Sequence, residues 1–202
     1  MQQPRPLLVV LDLNGTLLHR KNRGSSFVGR PRVNEFLHYL FSHHSVMVWS
    51  SARPDNVQGM CEKLLLKPQK EQLIGIWARD QLRLPADAYN QKVQVYKQLS
   101  WIWKDKKIQS ANPNPIEYWS QENTVLIDDS VEKAASEPYN LIQLEEFENK
   151  TEQVEVDVLG QVVKYLELLR WERDVSAYVR WKPFAFDPEK AFNWMPIVND
   201  MH

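Results

Sequence analysis

The chain has 202 residues, 43% hydrophobic and 25% charged, with 25 Lys and Arg against 26 Asp and Glu for a net charge of −1. That length fills one core and is marginal for two, and the balance of residues excludes a disordered chain and argues against a protein that coats nucleic acid through its phosphates. A single cysteine, Cys61, excludes an internal disulfide and suits a reducing, intracellular compartment, nucleus or cytoplasm; no apolar stretch reaches the length of a membrane span, and the MQQPRP start has no signal-peptide layout.

The first apolar run, LLVVL (7–11), leads straight into Asp12, Leu13, Asn14, Gly15 and Thr16. Pro31 is placed to open a helix, in which Val33, Phe36, Leu37 and Leu40 share one face. VMVW (46–49) follows, then Ser50 and Ser51, then a helix opened by Pro54 that carries Val57, Met60, Cys61, Leu64 and Leu65 on one side. LIGIW (73–77) reads as a strand, and Val93, Tyr96, Leu99 and Trp103 predict a helix over about 92–104. TVLI (124–127) ends at Asp128, Asp129 and Ser130, and NLIQL (140–144) is the last apolar run. These short Val-, Ile- and Leu-rich runs lack strict alternation, as strands covered on both faces do, so the expected fold is α/β with a doubly wound, mostly parallel sheet.

From Thr151 the pattern changes. The apolar positions from Val154 to Leu169 predict one long amphipathic helix, followed by a tail rich in Trp181, Phe184, Phe186, Phe192 and Trp194. Residues 1–150 are therefore expected to form the main domain, and 151–202 to pack on it or on a protein partner. KDKK (104–107) and EEFE (145–148) are solvated charge clusters, Cys61 lies on an apolar helix face, and the five histidines have no metal spacing.

Ligands of a doubly wound sheet gather beyond the carboxyl ends of its strands. Three polar groups fall there: Asp12, Asn14 and Thr16; Ser50 and Ser51; Asp128, Asp129 and Ser130. Each has a structural alternative: Asn14-Gly15 as the turn of a hairpin, and the other two as helix caps. Their joint order favours a site. Converging carboxylates with no His or Cys nearby suit a hard cation, magnesium above all. With hydroxyls from Thr16 and Ser50 and a lysine in reach, they would bind a phosphoryl group, and Asp12 would be its in-line nucleophile.

The succession of motifs resembles the haloacid dehalogenase superfamily. Within it, RPRVNEFLHYL, VMVWSSARPDNV, IWARDQLRL, VYKQL and TVLIDDS are similar to the domain shared by RNA polymerase II C-terminal-domain phosphatases and NLI-interacting-factor-like phosphatases, over roughly residues 7 to 145. The resemblance implies a magnesium-dependent phosphatase acting on a phosphorylated protein or peptide, and the short segment between Thr16 and Gly29, with no large insertion after Cys61, predicts no large cap domain over its site. It makes Asp12 nucleophile and metal ligand, the Asn14 main-chain carbonyl and Asp128 further ligands, and Asp129 an assistant in the same shell. Ser50 would hold the phosphoryl oxygen, Thr16 would support the loop, and Lys97 would be the third-motif lysine, with Lys92 the runner-up. Ser51, Arg53 and Arg79 would meet substrate. Family members carry Asp where this chain has Asn14, as general acid and then base. An amide does neither, so the resemblance implies an attenuated phosphatase or a pseudo-phosphatase that binds without turnover.

Overall fold

The computed structural model describes residues 3–20 and 26–201. Strand β1 (Leu8–Leu11) is followed by an antiparallel ribbon of β2 (Leu18–Arg20) and β3 (Phe27–Gly29), then α1 (Val33–His43), β4 (Ser45–Trp49), α2 (Pro54–Leu64), α3 (Lys67–Gln72) and β5 (Gly75–Trp77). Next come α4 (Leu99–Trp103), α5 (Lys106–Ser110), β6 (Thr124–Asp128) and β7 (Leu141–Gln143). Four helices close the chain: α6 (Thr151–Val154), α7 (Val158–Leu169), α8 (Val175–Trp181) and α9 (Met195–Asp200). The main sheet is parallel throughout, in the order β5-β4-β1-β6-β7. It is the doubly wound α/β fold expected. No helix among the described residues is long and apolar enough to cross a membrane.

The strands read as unbroken apolar runs because both faces are covered. Leu7, Val9 and Leu11, with Val46, Val48, Val125 and Ile127, enter a core that includes α1, α2 and α7. Leu8, Val10, Met47, Trp49 and Leu126 face the opposite way, onto Leu99, Ile102, Ile108 and Trp119. Each such buried side chain contributes about 1.5–3 kcal/mol of transfer free energy. Cys61 belongs to the first core, where burial raises its thiol to about 12 and leaves it inert.

Three expectations need correction. Pro54 opens α2, but α1 begins at Val33, two residues after Pro31, because Arg32 takes a left-handed conformation (φ 63°). The helix expected over 92–104 is only α4. Residues before it run extended, with Val95 and Lys97 buried and Tyr96 between them exposed, and the Lys97 N–H donates to Lys133 O at 2.7 Å. Glu137, not a local residue, then accepts from Leu99 N–H (2.9 Å) at the start of α4. The long helix expected from Thr151 breaks after Val154, which is exposed, and restarts at Val158, where Asp157 accepts from Gly160 N–H at 2.9 Å.

The tail folds back on this same face. Gln161 holds it by donating to Asp187 O (2.6 Å) and Lys190 O (2.7 Å) and accepting from Asp187 N–H (3.0 Å). Phe184 and Phe192 pack on the α7 side of the core, and Trp194 is buried within it. Gly160 is required there, since a Cβ would lie 2.4 Å from that of Phe192. Trp181 points outward, 76% exposed.

Candidate active site

The sheet register sets the site. Leu11 pairs with Val48 on one side and Ile127 on the other, so Asp12 emerges beside Asp128, and the Asp12 N–H donates to Ile127 O at 3.0 Å. From β1 the chain adds β4 and β5 outward on one side, then crosses to add β6 and β7 on the other. The crevice at such a reversal is where an open parallel sheet binds ligands.

Five charges meet at this crevice. Lys97 Nζ lies 3.0 Å from Asp12 Oδ1 and 2.5 Å from Asp128 Oδ2, and all three side chains are buried. Lys133 Nζ takes the other oxygens: Asp12 Oδ2 at 3.2 Å, Asp128 Oδ1 at 3.0 Å and Asp129 Oδ1 at 3.0 Å. Burial works to lower the pKa of Lys133, but Asp12, Asp128 and Asp129 outweigh it and hold the ammonium well above the ordinary lysine range. Three carboxylates against two ammonium groups leave the cluster with one negative charge in excess. Asp12 Oδ1 is ion-paired with Lys97 yet has no hydrogen-bond donor among the described residues.

The turn after Asp12 is tightly specified. Leu13 O accepts from Leu17 N–H (2.8 Å) and Leu18 N–H (3.1 Å), while Gly15 N–H donates to Leu18 O (2.8 Å). Gly15 has φ +86°, and a Cβ on it would sit 3.1 Å from Asp129 Oδ2, so both conformation and space call for glycine. Thr16, buried, donates from Oγ1 to Asp129 Oδ1 at 3.4 Å. Arg30 braces the turn from behind: its guanidinium donates to Thr16 O (2.6 Å) and Glu145 O (2.7 Å) and lies 4.9 Å over the Phe147 ring. Desolvation lowers Arg30 to about 10, still cationic at neutral pH, with Glu145 and Asp129 working the other way.

Asn14 is exposed, and its Oδ1 accepts from Arg20 N–H at 3.0 Å. The hairpin alternative fails here, because the antiparallel partners are β2 and β3 and Asn14 makes only a parallel bridge to Leu18. Asn-Gly is also the easiest context for succinimide formation, but both the Gly15 N–H and the Asn14 side chain are held in hydrogen bonds, which opposes slow conversion to Asp.

The capping alternative fails at Ser50-Ser51, because α2 is preceded by Arg53 with no side-chain cap. After β6, Asp128 Oδ1 and Ser130 Oγ do accept from Ser130 N–H (3.0 Å) and Lys133 N–H (3.3 Å), but they cap a run of turns over 131–136 and no α-helix. Ser50 is instead buried, its N–H donating to Trp77 O (3.0 Å) and its Oγ accepting from Ala52 N–H (3.3 Å). Ser50, Ser51 and Arg53 line a cleft of about 870 Å3 with Asn14, Arg20, Ala52, Asn56, Asp129, Lys133 and Glu146. Arg79 is not in it: its guanidinium is spent on Tyr89 O (2.6 Å) and Gln91 O (2.7 Å), fastening the 88–91 loop. Of the two candidate lysines, Lys92 is exposed and Lys97 reaches Asp12.

Sequence reasoning missed Lys133, Arg30 and Glu146. Lys133 had a local signal, lying four residues after Asp129, close enough for the turns over 131–136 to bring its ammonium back to the carboxylate. Arg30 had none, because it binds main-chain carbonyls up to 115 positions away.

Asp12, Asp128 and Asp129 each bring one oxygen within 4.8 Å of the others. An all-oxygen set of three converging carboxylates, two of them buried, with no His or Cys among them, fits a hard divalent ion such as magnesium.

A parallel doubly wound sheet with a carboxylate after its central strand and an acidic pair after the next agrees with what the resemblance to the haloacid dehalogenase superfamily implies. The sequence model of the NLI interacting factor-like phosphatases matches residues 7–176, reaching past the 145 at which the short motifs end and taking in α7, and the chain belongs to that family. It is 37% identical over 196 residues to an uncharacterized FCP1 homology domain-containing protein of Schizosaccharomyces pombe, covering 91% of this chain and 80% of that protein. A putative CTD phosphatase-like protein of Invertebrate iridescent virus 6 is 28% identical over 119 residues, 59% of this chain and 61% of that protein. Among solved structures, the fission yeast RNA polymerase II CTD phosphatase Fcp1 bound to beryllium fluoride is similar at a TM-score of 0.49 and 12% identity, over 97% of this chain and 62% of that one.

Proposed function

We propose that the chain is a magnesium-dependent phosphatase-type domain for phosphorylated protein segments, working through an aspartyl phosphate on Asp12 and attenuated at proton transfer by Asn14. One observation carries this reading: Asp12 stands at the end of the central strand with Lys97 on one oxygen and Lys133 on the other, beside the cleft. Asp12, Asp128 and Asp129, with the Asn14 main-chain carbonyl, would hold the ion, which when bound offsets the carboxylate charge and polarises a phosphoryl oxygen.

Lys97 orients Asp12 for in-line attack. A bond forms from the carboxylate oxygen to phosphorus as the bond to the leaving oxygen breaks, and water then hydrolyses the acyl phosphate. Ser50 would hold a phosphoryl oxygen, Thr16 and Arg30 keep the turn in place, and Ser51 and Arg53 would meet the flanking substrate. Arg79 stands outside the cleft, with Nε and Nη2 donating to carbonyls of the 88–91 loop, so its part in substrate contact would be indirect. Ala52 aside, every residue lining the cleft is polar or charged, which suits a phosphopeptide better than an apolar metabolite. A buried, reduced Cys61 agrees with an intracellular setting, nucleus or cytoplasm.

The weak step is the proton. General acid-base catalysis is worth roughly 10²–10⁴-fold, or about 3–5 kcal/mol of barrier. An alkyl leaving group such as serine needs that proton, whereas an aryl oxygen leaves without it. Asn14 also favours a second reading, a pseudo-phosphatase that binds metal and phosphopeptide in the same cleft and acts as a scaffold. Hydrolysis of an aryl phosphate with magnesium, abolished by Asp12→Asn, is the expected result. Magnesium and beryllofluoride binding with no turnover would replace the enzyme by the binding module.

A further inference from the structure

The site holds one cation more than the attack by Asp12 calls for. An ammonium has three N–H donors, and those of Lys133 face one oxygen each from Asp12, Asp128 and Asp129, the same three residues that form the all-oxygen set. Lys97 differs in both respects: it takes Asp12 Oδ1 and Asp128 Oδ2 instead, and it is fully buried. The Lys133 side chain is 15% exposed and lines the cleft beside Ser50 and Arg53. Its root is fixed, with Lys133 O accepting from Lys97 N–H (2.7 Å) and its N–H donating to Ser130 Oγ (3.3 Å), while the four-carbon stem can turn toward the cleft.

We propose that Lys133 is an exchangeable cation: it holds the three carboxylates together in the metal-free protein, yields them to a divalent ion, and then serves the cleft as a ligand for the substrate phosphoryl group. Lys133 Nζ stands between the three carboxylates, where an ion held by all of them would sit, so the two compete for that position. An anion in the cleft gives the displaced ammonium a partner, so anion and metal tighten each other by the same factor. The inference rests on the metal site proposed above, and metal binding is therefore read apart from turnover.

The test has two arms on the full chain. Mn2+ binding, followed by the loss of the free-ion electron paramagnetic resonance signal, is expected to be about tenfold or more tighter in Lys133→Met than in the wild type, because a competing charge is removed. In the second arm, lysine acetylation of the wild type is mapped by mass spectrometry in chelator, in Mg2+, and in Mg2+ with beryllofluoride. Lys133 is expected to be protected, then reactive, then protected again. This arm decides the matter if Lys133→Met does not fold. Equal or weaker Mn2+ binding by the variant, or Lys133 reactivity indifferent to Mg2+, overturns the exchange alone; no Mn2+ binding by either protein overturns the metal site with it.

Discussion

The two ends of β1 solve the same burial problem in opposite ways. At the amino end, Leu7 N–H donates to His44 Nδ1 (3.2 Å), which leaves Nε2 to donate to Tyr39 Oη (3.2 Å), and Tyr39 in turn donates to Glu167 (2.5 Å). Burial drops His44 to about 3, so the ring is neutral at physiological pH, and burial with the Glu167 bond pushes the Tyr39 phenol up. At the carboxyl end, five charged groups meet at Asp12. A relay led by two neutral rings is a low-risk way to satisfy buried donors; a compensated charge cluster is costly and persists where chemistry needs it.

Breaking the charged end should have the largest effect. Lys97→Met leaves Asp12 and Asp128 buried without the fully buried one of their two shared cations, and should lower unfolding free energy by about 3–5 kcal/mol in urea titration. A loss under 1 kcal/mol would mean that Lys133 alone compensates the pair. At the neutral end, Tyr39→Phe strands the His44 Nε2–H, and a smaller loss of about 1–3 kcal/mol is expected. An effect matching that of Lys97→Met would erase the contrast between the ends.

Acid sharpens the comparison further. The folded pKa of His44 is lowered from 6.5 to about 3, so the unfolded chain takes the proton first as pH falls through that window. The stability of the neutral ring is complete above 6.5 and is lost on acidification, at up to about 1.4 kcal/mol per pH unit. His44→Gln should flatten the stability profile across that window, and an unchanged slope would show that other groups set it.

The sheet and the positions of Asp12 and Asp128 were legible because buried parallel strands and the switch-point rule are local signals that add up. Asp129, Thr16 and Ser50 came with them. Lys97 was harder. Its neighbours Val93, Tyr96 and Leu99 sit at helical spacing, yet the chain is drawn out there by the bond to Lys133 O and by the ion pairs of its own ammonium. Arg79 stood in a motif that pointed to substrate, and a loop ten residues on engages its Nε and Nη2 outside the cleft. Val154 continued an apolar period without sharing its burial, so the break before α7 was hidden. At Lys97 and Arg79 a tertiary contact overrode a local pattern.

The account turns on Asp12 attacking and Asn14 failing to deliver the proton, and one comparison tests both. Hydrolysis of a phosphoserine peptide and of an aryl phosphate is measured with magnesium for the wild type and for Asn14→Asp. The account predicts that the substitution raises turnover of the phosphoserine peptide by about 10²–10⁴-fold and that of the aryl phosphate much less. An equal rise on both substrates, or no rise on either, would contradict it.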